Sequence, residues 1–406
     1  MRISTLNIFN TATNQLGTLQ SGIARTQMQL ATERRILTPA DDPVASARAL
    51  EVSQAQEMNA QFATNRMNAR SSLSHVETTL QDAGNLLQDI QQLAVNAGNG
   101  TMVKTDREAL ATELEGRLED LLGVANTTDG SGGYLFSGYM ATTQPFTRTP
   151  GGAQYQGDQG QRQLQVGASR KLPLSASGSA VFEAIPTGNG SFQTQAASTN
   201  TGAAIISSGS VTDRSQLNGH DYVLSFTVTG TPAVTTYTVN DTSTSPATAV
   251  LSNQPYEPGK TISFGGMSFD IKGAPANGDS FTVKPSEKQS VFTTVTDLIA
   301  ALRAPAEGSS GKAALTNSLN TAMDNLKSAH DNVLTVQASV GAHLKELDYL
   351  DSAGDDLNIH YASTLSDLQD LDVVKAISDF QQQQTTLQAA QMSFKTMSGL
   401  SLFNYL

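Results

Sequence analysis

From Leu16 onward the apolar positions fall at Leu16, Leu19, Ile23 and Leu30, with Thr26 in the same row. Steps of three and four predict a helix that lays one stripe on a partner. The row stops at Leu37-Thr38-Pro39. Asp41 or Asp42 can cap the next helix, and Pro43 suits its first turn. That second helix is long. Ala55, Met58, Phe62, Ala69, Val76, Leu80, Ala83, Leu87, Ile90 and Ala94 keep the alternation as far as the turn formers Asn96-Ala97-Gly98-Asn99-Gly100. At ~1.5 Å per residue, Pro43 to Ala97 reaches on the order of 80 Å. Thr105-Asp106-Arg107-Glu108 fits a capping box. It opens a third helix carried by Leu110, Leu114, Leu118, Leu121 and Ala125.

Beyond Asn126 the texture changes to Gly, Ser, Thr and Pro with short alternating runs. GGYLFSGYM (Gly132–Met140) and AQYQGDQGQRQLQVG (Ala153–Gly167) read as hairpins. In residues 176–289, YVLSFTVTG, TYTVN, TISFGGMSFDIKG and DSFTVKP alternate apolar and polar positions, the pattern of antiparallel strands with one wet face. Helical spacing returns at Leu315, Leu319, Ala322, Leu326, Ala329, Val333, Val336, Val340, His343, Leu347 and Leu350, and runs on to Leu371. The phase slips at Asp370-Leu371-Asp372, which predicts a break or a change of partner. Val373, Ile377, Phe380, Gln384, Leu387, Gln391 and Phe394 form the last row.

These elements predict an α+β protein: a long antiparallel helical bundle or coiled coil built from both termini, with an inserted antiparallel β domain. The expected division is 1–40 with 366–406 as terminal helices forming an inner assembly domain. Residues 41–175 with 290–365 would form a long-helix bundle with β-hairpins, and 176–289 the inserted β domain.

Composition narrows the chemistry. The 406 residues hold 25 Lys and Arg against 37 Asp and Glu, a net charge of −12. A general electrostatic affinity for nucleic acid or an anionic membrane is therefore not expected. With no cysteine, disulfides, thiolate metal sites and cysteine nucleophiles are excluded. The opening MRISTLNIFNTATNQLG lacks the apolar stretch of a secretory signal, and no run approaches the ~20 apolar residues of a membrane span. The five histidines are scattered, no phosphate loop or H-E-x-x-H is present, and the paired aspartates read as helix caps or solvated faces. His343 lies on the apolar stripe and reads as a seam residue. His220 is the one histidine of the β block. No catalytic residue, metal or cofactor is expected.

The last 28 residues carry only two charged side chains, Asp379 and Lys395, and finish on Leu400, Leu402, Phe403, Tyr405 and Leu406. Two end helices packed on each other bury one narrow stripe each. Burying a large side chain is worth ~1.5–3 kcal/mol, so the remaining apolar groups need cover. It can come from other molecules or from the tail docking on the chain's own long helices, with other molecules favoured because the rods already have matched stripes. Leu16, Leu19, Ile23, Leu30, Val373, Ile377, Phe380, Gln384, Leu387, Gln391, Phe394, Leu402 and Phe403 are the expected assembly residues. Thr26, Gln384 and Gln391 are polar positions of the kind that restrict register and partner number. Sticky ends, a detachable β module and no chemistry predict a self-assembling or adaptor protein.

MRISTLNIF, QLATERRILTPADDPVASARAL (Gln29–Leu50), GGYLFSGY, YQGD (Tyr155–Asp158) and the final FQQQQTTLQAAQMSFKTMSGLSLFNYL together resemble the flagellin superfamily of bacterial flagella. MRIST, TPADDP and YLFSG look more like its hook–filament junction members than like flagellin itself, the bulk filament subunit. The resemblance implies an extracellular structural role, with export through the flagellar type III channel and no cleaved signal. It implies hook-associated protein 1, flagellin and copies of the chain in a ring as partners, with a flagellar export chaperone as a further one. By position, Asp41-Asp42-Pro43 would be the interdomain turn, and Gln381 to Gln384, Leu387 and Phe394 would lie in an inner helical tube. One departure stands out. The family usually has Gly where this chain has Glu33, a change expected to affect a close helix contact there.

Overall fold

The computed structural model describes residues 5–130 and 132–399. Among these, six α-helices bracket fifteen short strands. The helices are α1 (Thr5–Thr32), α2 (Pro43–Ala97), α3 (Lys104–Ala125), α4 (Val291–Arg303), α5 (Gly308–Gln369) and α6 (Val373–Gly399). The expected α+β class, with helices from both ends of the chain and antiparallel strands between them, is the observed one. Pro43 starts α2 because its missing N–H falls where a helix has no partner for one. The helix stops before Gly98. The expected break at 370–372 separates α5 from α6.

Two compact units make up the chain: Met1–Thr64 with Tyr349–Leu406, and Asn65–Asp348. The second holds the large core. On α2 it buries Leu73, Val76, Leu80, Leu87 and Ile90, and on α3 Leu114, Leu118 and Leu121. From α5 come Leu319, Leu326, Val333 and Leu347. An aromatic cluster joins them. Phe146 meets Phe292 at 5.0 Å, Phe182 at 5.7 Å and Tyr155 at 5.1 Å between ring centres, and Phe136 stands edge-on to Phe182 at 5.5 Å.

Three expectations need correction here. Gly132–Met140 is not a hairpin but a chain of turns, and Ala153–Gly167 belongs to two separate hairpins. These are β1 (Phe146–Thr149) with β2 (Gly152–Tyr155), and β3 (Gln163–Gln165) with β4 (Lys171–Pro173). Leu135 and Phe136 are buried from within the turn region, so their apolar character reflects packing, not strand alternation. The carboxylate of Asp158 holds the turn, accepting from the N–H groups of Tyr139 at 3.0 Å and Met140 at 3.1 Å. Those bonds keep its pKa below the usual range. Gly138 has φ +72°, and a Cβ there would lie 2.3 Å from that carboxylate. The YLFSGY and YQGD stretches are thus two halves of one local structure. Secondly, the α3 cap sits two residues earlier than Thr105: Asp106, not Glu108, reaches back to the N–H of Val103 at 3.2 Å. Thirdly, α4 is a helix that the expected elements do not include. Ser290 caps it by accepting from Phe292 N, and Val295, Leu298, Ile299 and Leu302 form its buried face.

The inserted block continues with β5 (Ile185–Pro186), β6 (Phe192–Ala196), β7 (Ile205–Ile206), β8 (Ser210–Val211), β9 (Tyr222–Thr229), β10 (Val234–Asp241) and β11 (Thr248–Pro255). It closes with β12 (Thr261–Phe264), β13 (Met267–Lys272), β14 (Ser280–Pro285) and β15 (Lys288–Gln289). One antiparallel sheet runs in the order β11-β10-β9-β14-β6, and a second in the order β12-β13-β7, with β8 also on β13. Alternate residues of β9, Tyr222, Leu224 and Phe226, point into a core shared with Phe264, Phe269, Ile271 and Phe281. His220 is spent on structure: its Nδ1 lies 2.6 Å from the nearly buried carboxylate of Asp241.

Amides on α5 fix the irregular chain around this block. Asn317 Nδ2 donates to Ala204 O at 3.0 Å while its Oδ1 accepts from Ile206 N at 3.0 Å, and Asn325 Oδ1 accepts from Gly188 N at 2.8 Å. Both asparagines are buried, and they supply partners to backbone groups that no strand satisfies.

Candidate assembly site

The first unit has a different character. Among its described residues the buried ones are Thr26, Ala45, Ala49, Gly354 and Ala376. Not one is a large apolar side chain. α1 and α6 lie antiparallel, with Phe9 against Phe394 at 5.2 Å near one end and Thr26 Oγ1 3.1 Å from Gln383 Oε1 midway. The Thr26 hydroxyl also lies 3.1 Å from Gly22 O, so a polar tie holds the centre of a thin seam.

The expected α1 stripe faces this seam: Leu16, Leu19, Ile23 and Leu30 are half-buried. The expected α6 row divides. Phe380, Leu387 and Phe394 are half-buried, whereas Val373, Ile377, Gln384 and Gln391 are exposed. Their places in the seam belong to Ala376, Gln383 and Ala390. Both choices keep the three-four alternation with Phe380, Leu387 and Phe394. The small alanines win because they let the two backbones approach, and Ala376 is 5% exposed where Ile377 is 45%. Val373 and Ile377 are left outward with Val374 and Met392, and Met397 is exposed as well; Val374 is 81% exposed. Leu402 and Phe403 lie outside the described residues. On the long helices Met58 is likewise outward, with Leu50, Leu357 and Ile359, while Asn59 donates to Gly354 O at 2.7 Å and Gln56 to Asn358 Oδ1 at 3.0 Å.

At the other end, the two helix breaks are tied together. Arg34 and Asp370 form an antiparallel bridge, in which Arg35 N donates to Gln369 O at 2.8 Å and Leu371 N to Glu33 O at 3.0 Å. Arg35 Nη2 adds a bond to Leu368 O at 2.8 Å. The two aspartates have separate tasks. Asp42 caps α2, accepting from Ala45 N at 3.0 Å. Asp41 accepts from Leu37 N and Thr38 N, both at 2.9 Å, and pairs with Arg25 at 2.7 Å.

The N–H of Thr38 above all, with those of Leu37 and the Arg25 charge, holds the Asp41 carboxyl below its ordinary value of 3.8. A carboxylate with a lowered folded pKa contributes stability that is complete above the ordinary value and disappears as pH falls through the folded one. Acidification below the ordinary value of 3.8 is therefore expected to loosen the 37–41 turn as the carboxyl takes up its proton. Amide shifts of Leu37 and Thr38 across pH 6 to 3 check this, and amides that stay fixed to the acid limit would contradict it.

Glu33, directly after the last residue of α1, has φ +55°. Glu33 therefore holds a left-handed backbone conformation that glycine adopts without strain. A left-handed residue commonly ends a helix, and a side chain there costs roughly 1 kcal/mol relative to glycine. Glu33→Gly is expected to stabilise the first unit by about that amount. Slower hydrogen exchange at the end of α1 is the readout, and faster exchange would count against the assignment.

Groups of three or more His, Cys, Asp or Glu placed to hold a metal ion do not occur among the described residues. No helix among them is long and apolar enough to cross a membrane.

Known proteins match along the whole chain. The family model for the bacterial flagellin N-terminal helical region covers residues 3–141, and that for the D2-like domain of flagellar hook-associated protein 1 covers 195–285. Flagellar hook-associated protein 3 of Escherichia coli (strain K12) is 29% identical over 404 residues, 99% of each chain. The crystal structure of flagellar hook-associated protein-3 from Legionella pneumophila superposes with a TM-score of 0.74 at 33% identity, covering 78% of this chain and 98% of that one. Xanthomonas campestris FlgL gives 0.70 at 33% identity, over 78% and 99%. The chain belongs to the flagellar hook-associated protein 3 family, the flagellar junction proteins.

Proposed function

We propose that this chain is the structural adaptor between hook and filament, binding hook-associated protein 1 on one side and flagellin on the other. The observation that carries the reading is that no large apolar side chain is buried among the first unit's described residues, while Val374, Ile377, Met392 and Met28 are exposed. Such a surface gains most of its burial from neighbouring subunits, each large side chain covered adding ~1.5–3 kcal/mol. Residues 1–40 and 366–406 act as the assembly part, 41–175 with 290–365 as the supporting bundle, and 176–289 as an outer module.

Copies of the chain pack side by side in a ring. Leu16, Leu19, Ile23, Leu30, Phe380, Leu387 and Phe394 hold α1 on α6. Val373, Ile377, Gln384 and Gln391 meet neighbours, as do Leu402 and Phe403. Asp41, Asp42 and Pro43 set the turn between the parts. A chaperone covers the α6 face until assembly. The role is mechanical, with no catalytic step.

Antibody labelling of isolated flagella tests the reading. Label confined to a thin band where hook meets filament is expected, together with a deletion strain that keeps hooks yet sheds flagellin into the medium. Label along the whole filament would instead make the chain the bulk subunit.

A further inference from the structure

A cavity of about 470 Å³ opens between β6, α4 and α5, all in the second unit. Its size falls in the range of small-molecule sites, about 300–1,000 Å³. Its lining sets it apart from the rest of the unit. β6 contributes Gln193 and Gln195, two residues apart and so on one face of the strand. α4 contributes Asp297, α5 contributes Asn317 and Thr321, and Gln289 of β15 completes the rim. Neighbouring faces of α4 and α5 bury Leu298, Leu302, Leu319 and Leu326, yet none of these lines the cavity.

Polar groups drawn together between packed elements are costly unless hydrogen-bonded. Here the Asn317 amide is already committed to Ala204 and Ile206, which fixes one wall. Asp297 stands solvent-exposed at the rim, where Gln289 Nε2 donates to its Oδ2 over 3.3 Å, a long bond that leaves the other carboxylate oxygen open to a ligand. Asp297 therefore has acceptor capacity that a hydroxyl donor could fill, and the glutamine amides offer both donors and acceptors.

The lining also selects against other ligands. It contains no Lys or Arg and one carboxylate, which disfavours anions; it contains no aromatic or large aliphatic side chain, which disfavours apolar ligands. We propose that the cavity binds a neutral saccharide of one or two pyranose rings, two adjacent hydroxyls donating to Asp297 and others exchanging hydrogen bonds with Gln193 and Gln195. The site stands on the second unit alone and is independent of the junction role.

Saturation-transfer NMR on the full chain with methyl glycosides of glucose, galactose, mannose and N-acetylglucosamine tests this. At least one glycoside is expected to bind at millimolar concentration. Asp297→Asn should weaken that binding by about tenfold or more, the size of a lost charge-assisted hydrogen bond. Its melting temperature should hold, because Asp297 is solvent-exposed at the rim and an amide there can still accept from Gln289. Thr321→Phe fills the cavity and should abolish the signal. Failure of every glycoside to bind the unaltered chain would mean that water alone fills the space and would overturn the proposal. Binding unchanged in Asp297→Asn would place the sugar elsewhere and overturn it equally.

Discussion

Deleting Val373–Leu406 is expected to abolish filament attachment completely while leaving the second unit folded. α1 packs against α6, so the deletion removes the seam partner of Leu16, Leu19, Ile23 and Leu30 together with the outward Val374, Ile377 and Met392. Nothing in the Asn65–Asp348 unit is lost, because its core residues all come from within that span. Scanning calorimetry should keep the principal unfolding transition in place, and the truncated strain should swim no better than a full deletion. Filaments growing normally on the truncated chain would end the assignment of assembly to this unit.

Phe146→Ala is expected to be the most damaging single change to the second unit. The ring is fully buried and touches Tyr155, Phe182 and Phe292. Truncating such a phenylalanine typically costs about 3–5 kcal/mol, because the cavity left behind closes only in part. For a unit of this size that lowers the melting temperature on the order of 10 °C. A loss of about 1 kcal/mol or less would show that the neighbouring rings collapse into the space and that the cluster is less rigid than its geometry implies. The effect on the first unit's hydrogen exchange should be small, which separates this lesion from the deletion of α6.

Much of the fold was legible because local rules and global packing agree. Pro43 and Gly98 bound α2, and alternation in β9 and β14 needs no distant information. What could not be read depended on partners. Both Ala376-Gln383-Ala390 and Ile377-Gln384-Gln391 satisfy the spacing on α6, and only the approach of α1 chooses between them. Leu135 and Phe136 look like strand residues until Asp158, some twenty positions on, is seen holding the turn. Asn317 and Asn325 interrupt an apolar helix for the sake of backbone groups more than a hundred residues earlier. Glu33 needed a dihedral angle, which no pattern of side chains reports.

Helices α1 and α6 meet although more than 350 positions separate Thr26 from Gln383. Such sequence-distant pairing is slow to find when the intervening chain is loose, since closing a long loop loses entropy before any contact forms. Folding of the intervening unit shortens the search: Arg70 pairs with Asp348, so its first and last segments emerge side by side. The order of events follows from topology. The middle is expected to consolidate first, and α1 and α6 to meet last.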